Sequence, residues 1–96
     1  MAVWFISRHQ GAIDWIQQQG IHIDHFIEHL DLDAIQAGDT VIGTLPIHLA
    51  AQVCEKGAAF YFLSVNVRFE QRGTELTAEE LTAQGARLIP YHIQQL

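Results

Sequence analysis

The 96 residues suit one domain spanning 1–96, and so small a chain buries only roughly 60–65% of the surface it exposes when unfolded, so self-association would help it. Apolar residues at 49% and charged residues at 17% leave ample material for a core and exclude a disordered chain. Eleven acidic residues against five basic ones, a formal net charge of −6, exclude an electrostatic grip on a long nucleic acid, but not a compact anion held by a few backbone N–H groups and one or two Arg.

Ala2–Ser7 is a short apolar run of the kind a fully buried strand shows, and the polar, flexible Ser7-Arg8-His9-Gln10-Gly11 ends it. The period then changes. Ala12, Ile13, Trp15 and Ile16 make one side of a helix that Gly20 stops at its C-cap. Ile21–Leu30 reads either way, because Ile21 and Ile23 alternate while Phe26, Ile27 and Leu30 fit a helix; a strand centred on His25–His29 is favoured. Asp31–Gln36 reads as a polar turn with one helical turn around Ala34 and Ile35, too short for a full crossover helix.

Thr40-Val41-Ile42-Gly43 is a compact buried strand, and Pro46 fits the first turn of a following helix. Ile47, Ala50, Ala51 and Cys54 form that helix's inner face, which makes Cys54, the single cysteine, a small core residue, and Gly57 ends the helix. Ala59–Val65 is another buried strand, leading into the polar loop Asn66–Gly73. Thr77-Ala78-Glu79-Glu80 matches a capping box and opens a third helix that stops at Gly85; Arg87–Ile93 is a last strand, at an edge because Pro90 removes a ladder donor.

Strands alternating with helices predict a small α/β domain, a mostly parallel sheet with helices on both faces. Ligands of such sheets bind outside the carboxyl ends of the strands. Neither a basic leader nor a cleavage site opens the sequence, and no apolar stretch approaches a bilayer span, so a cytoplasmic protein with no membrane partner is expected.

Three loops at that edge carry candidate chemistry. Ser7, Arg8 and His9 offer a hydroxyl, a permanent cation and a titratable imidazole at a helix start, with Gly11 allowing the backbone to approach a ligand. Gly43, Thr44, Leu45 and Pro46 deliver backbone N–H groups and a hydroxyl, and His48 lies off the apolar stripe, towards solvent or a ligand. Ser64, Asn66, Arg68 and Arg72 follow the fourth strand, so three of the five basic residues stand in loops after strands one and four. A capped helix, a surface histidine and arginines balancing Glu70 and Glu75 are the bland readings of the same residues. No P-loop pattern is present, so ATPase chemistry is not implied. His22, Asp24, His25, Glu28, His29 and Asp31 make a dense set of metal-ligand types, yet the spacing matches no standard zinc signature. Solvated loop and strand-edge residues are the default there, and no metal or cofactor is expected.

At Phe5-Ile6-Ser7-Arg8-His9-Gln10-Gly11-Ala12-Ile13 with Trp15, at Gly38–Ala51, and more loosely from Gly73-Thr74-Glu75-Leu76 to Gly85-Ala86-Arg87-Leu88, the sequence resembles the small type III CRISPR-associated proteins of the Csx-sixteen kind, grouped with the ring nucleases. The His-rich segment lies outside what is similar. The resemblance implies a Rossmann-like homodimer related to CARF sensor domains that binds a cyclic oligoadenylate, with cyclic tetra-adenylate the expected ring, and cleaves it to switch off antiviral signalling. The implied reaction is metal-independent: a ribose 2′-hydroxyl attacks the adjacent phosphate. Ser7, Arg8, His9 and His48 are the candidate catalytic residues; Gly11, Gly43, Thr44, Leu45, Pro46, Ser64, Asn66 and Arg68 are the candidate binding ones. A non-hydrolysing module that binds the same nucleotide, and a metal-dependent hydrolase using His22–Asp31, are the alternatives.

Overall fold

The computed structural model describes residues 1–65 and 76–96. Along them run β1 (Val3–Ile6), α1 (Gln10–Gln18), β2 (His25–Ile27), a 3₁₀ turn (Leu32–Ala34), β3 (Thr40–Gly43), α2 (Ile47–Glu55), β4 (Ala59–Ser64), α3 (Ala78–Ala83) and β5 (Arg87–Tyr91). The strands make one five-stranded sheet in the order β2-β1-β3-β4-β5. All neighbours are parallel except β4 and β5, and Pro90 sits on that edge opposite Tyr61.

The pleat sends successive side chains to opposite faces, and both faces are covered. Phe5, Ile42 and Leu63 pack with Ala12, Trp15 and Ile16 of α1 and with Ala78 and Leu81 of α3. Ile6, Val41 and Phe60 pack on the other face with Ala50, Val53 and Cys54 of α2 and with Ile35. Burial on two sides is why these strands read as unbroken apolar runs. The chain is a small Rossmann-like α/β fold. Its helix stops are also where the sequence puts them: Gly20 and Gly85 take φ of 73° and 76°, and Thr77 and Glu80 close the capping box on α3.

Some local expectations change. β2 ends at Ile27, leaving Glu28 and His29 beyond the strand. Residues 31–36 do hold a short turn, but Ile35 is 1% exposed. A crossover too short for a helix still has to cover the sheet, and one Ile side chain does so, while Lys56 Nζ donates to the Leu32 carbonyl beside it. Pro46 is the N-cap of α2, one residue before the expected place. Ile47, expected on the inner stripe, is 75% exposed, whereas Val53 is fully buried. Helical Cβ atoms tilt towards the helix N-terminus, so a first-turn side chain reaches past the end of the sheet instead of onto it.

Two carboxylates tie the amino ends of the strands together. Asp39, buried before β3, accepts from the N–H of Ala2 at 2.8 Å, the N–H of Gln36 at 2.9 Å and Trp4 Nε1 at 3.1 Å. Asp24 accepts from the N–H of Val3 at 2.7 Å and pairs with His22 at 2.8 Å. The backbone donors of Ala2 and Gln36, with the Trp4 indole, hold the Asp39 carboxyl below its ordinary value, although burial opposes them. A carboxyl depressed in the folded state stabilises above its unfolded pKa, near ~3.9, and that contribution disappears as pH falls through the lower folded value. Asp39→Ala is therefore expected to lower the melting temperature at pH 7, and the gap to the unsubstituted protein should shrink below about pH 4. Thermal melts between pH 2 and 7 test this; a gap that does not change with pH would remove the carboxylate from the account.

Candidate functional site

The order β2-β1-β3-β4 makes the chain leave β1 and β3 in opposite directions: α1 leads outward to β2 on one face, and α2 leads outward to β4 on the other. Between β1 and β3 lies the topological switch point, where the loops after two neighbouring strands part and leave a crevice. A cleft of about 640 Å³ opens there, within the size range of small-molecule sites. Ser7, Arg8 and His9 line one side, Thr44, Leu45 and Pro46 another, and Glu28, His29 and Leu30 a third.

His9 is the N-cap of α1, with extended backbone, and its carbonyl accepts from the N–H groups of Ala12 and Ile13. Ser7 Oγ accepts the His9 N–H at 3.1 Å. That bond shapes the turn and leaves the hydroxyl its proton to donate. Arg8, exposed between them, presents the permanent cation. Thr44 differs: its Oγ1 donates to the Leu63 carbonyl at 3.2 Å, so its hydroxyl proton ties the end of β3 to β4. That proton is therefore already engaged within the fold.

The ends of the helices differ in a way that matters for charge. In a chain with eleven acidic residues, the first turns of α1 and α2 hold none, and neither N-cap side chain makes a capping bond. The first turn of α3 instead holds Glu79 and Glu80, and its capping box satisfies its own donors. Among the described residues, the positive ends of α1 and α2 thus carry neither an acid in the first turn nor a side-chain cap of their own, while α3's is neutralised internally.

Several predicted residues stand elsewhere. His48 is exposed on the first turn of α2 and is not among the residues lining the cleft. Gly43 is buried, paired with Ile6, and a Cβ there would stand 2.8 Å from the Ile6 carbonyl oxygen. A Cβ on Gly11 would stand 1.6 Å from the Leu76 carbonyl oxygen. These glycines allow the chain to approach itself, not a ligand. Ser64 ends β4 opposite Arg87, outside the cleft lining. Asn66, Arg68 and Arg72 lie outside the described residues.

The His-rich segment is divided. His22 pairs with Asp24 before β2, the His25 ring stacks on Trp4 with centroids 4.1 Å apart, and His29 reaches the cleft past the other end of the strand. Among the described residues no three His, Cys, Asp or Glu side chains converge as a metal site would require. Glu28 and His29, which the sequence reading placed only in the alternative metal set, line the cleft instead. Their signal was available: they follow a parallel strand at the edge where ligands bind.

Residues 4–94 match the family described as "Putative CRISPR-associated protein (Cas_VVA1548)". The chain belongs to this family. The match covers both strand-loop-helix units that form the cleft, so the switch-point site lies wholly inside the part this CRISPR-associated family shares. No curated protein and no solved structure gives a significant match. Among the described residues no helix is long and apolar enough to cross a membrane.

Proposed function

We propose that this CRISPR-associated protein is a ring nuclease that binds a cyclic oligoadenylate, cyclic tetra-adenylate first among them, and opens it without a metal. The observation that carries the reading is the convergence on one cleft of Arg8 and the N-termini of α1 and α2, neither with an acid in its first turn, with Glu28 the one carboxylate among the described lining residues. Such a place favours a compact phosphate ester and disfavours a long polyanion. Arg8 and the backbone N–H groups hold the non-bridging oxygens, and Ser7 donates to one of them. The ribose 2′-hydroxyl then attacks the adjacent phosphorus in line: the 2′-O–P bond forms, the P–O5′ bond breaks, and the products are a 2′,3′-cyclic phosphate and a 5′-hydroxyl. His9 takes part in moving the proton.

A ring of several nucleotides exceeds a cleft of about 640 Å³. A two-fold pair of chains presents two such clefts to one ring, so the working form is a homodimer. Incubation with cyclic tri-, tetra- and hexa-adenylate, with and without EDTA, is expected to give linear products ending in 2′,3′-cyclic phosphate at a rate chelation does not change, from protein that light scattering shows to be dimeric. Rings bound but intact at enzyme excess would make the protein a binding module instead. Activity abolished by EDTA and restored by zinc or manganese would refute the mechanism.

A further inference from the structure

The loop after β2 brings a second imidazole to the cleft. His29 stands two residues past the end of β2 and lines the same cavity as Ser7, Arg8 and His9. It is exposed and belongs to neither hydrophobic core, so packing gives no reason for it to face that cavity. The neighbouring imidazoles have other surroundings, His22 against Asp24 and His25 against Trp4, both away from the cleft lining.

The chemistry of the cleft has a use for two such groups. An in-line displacement at phosphorus places the attacking and leaving oxygens on opposite sides of the reacting atom, so one proton is removed on one side while another is supplied on the other. A single fixed imidazole reaches one of those positions. β1 and β2 are adjacent parallel strands, and neighbouring strands lie about 4.8 Å apart, so the loops leaving them rise side by side at the same edge of the sheet. His9 follows β1 and His29 follows β2, and both line the cleft that Arg8 and the residues entering α2 also line.

Building on the ring nuclease reading, we propose that His29 is the second proton-transfer residue and works with His9 across the scissile phosphate. As the 2′-oxygen bonds to phosphorus, its proton passes to one neutral imidazole. As the P–O5′ bond breaks, the 5′-oxygen takes a proton from the other, protonated imidazole. The pair finishes with its protonation exchanged, and solvent restores it.

The test uses single-turnover cleavage of cyclic tetra-adenylate by the unsubstituted protein, His9→Ala and His29→Ala. Each is also given a ring with a sulfur in place of the bridging 5′-oxygen, a leaving group that departs without a proton. His29→Ala is expected to melt like the unsubstituted protein and bind the ring with nearly unchanged affinity. It should cleave about 10²-fold or more slowly and lose one limb of the pH–rate profile. The sulfur ring should restore the rate of one histidine variant and not the other. Full-rate cleavage by His29→Ala, a loss matched by lost affinity, or rescue of both variants or of neither would overturn the proposal while leaving ring cleavage in place. If the unsubstituted protein binds the ring and leaves it intact, the ring nuclease reading fails, and the role of His29 with it.

Discussion

Single-turnover cleavage of the ring by His9→Ala is expected to fall by about 10²-fold or more with affinity nearly intact, whereas Arg8→Ala should weaken affinity and turnover together. The two residues are adjacent and line one cleft, so position alone does not separate their roles. Their chemistry does. A guanidinium keeps its proton throughout the working pH range and attracts phosphate in the ground and transition states alike. An imidazole changes protonation near neutrality, so its contribution is larger while the proton is moving than while the ring merely sits in the cleft. Circular dichroism on the Ala variant and on a His9→Gln variant checks that the fold persists. Filter binding and rapid-quench kinetics on both variants give the two constants. Full-rate cleavage by His9→Ala would take His9 out of the mechanism and move the role to His29 or to the exposed His48.

What the sequence made legible depended on how local its cause was. β3 begins and ends where its apolar run does, and α3 opens on its capping box, because both signals lie within a few residues. The Ser7-Arg8-His9 loop was legible for the same reason: a period change from strand to helix marks the carboxyl edge of a parallel sheet, and the topology then supplies the cleft. Ile35, Gly11 and Asp39 were not legible as what they are. Each acts on partners distant in sequence or set by strand order: Ile35 fills the core between the sheet and α2, Gly11 meets Leu76, and Asp39 holds Ala2 and Trp4. His29 falls between these cases. The ambiguity of Ile21–Leu30 hid the end of β2, and with it the fact that a histidine two residues later stands at the ligand edge.

Gly11→Ala should destabilise the fold, although within an isolated helix the same change would stabilise by about 1 kcal/mol. Gly11 lies in the first turn of α1, and an ideal Cβ there would stand 1.6 Å from the carbonyl oxygen and 2.8 Å from the carbonyl carbon of Leu76. No rotamer change relieves this overlap, because the obstacle is backbone: α1 or the chain entering α3 must shift. That shift separates two helices which together cover one face of the sheet through Ala12, Trp15, Ile16, Ala78 and Leu81. Overpacking of this kind costs typically ~1–3 kcal/mol, enough to outweigh the helix gain at its upper end. At roughly 4–8 °C per kcal/mol for a domain of this size, a net loss of about 1–2 kcal/mol is a fall of roughly 5–15 °C in melting temperature. Leu76 also lines the cleft, so the surviving folded protein should bind the ring more weakly even well below its melting point. Calorimetry and ring titration on Gly11→Ala measure both effects. An unchanged or raised melting temperature would mean that α1 and Leu76 stand farther apart than a Cβ requires, and that the glycine serves the ligand after all.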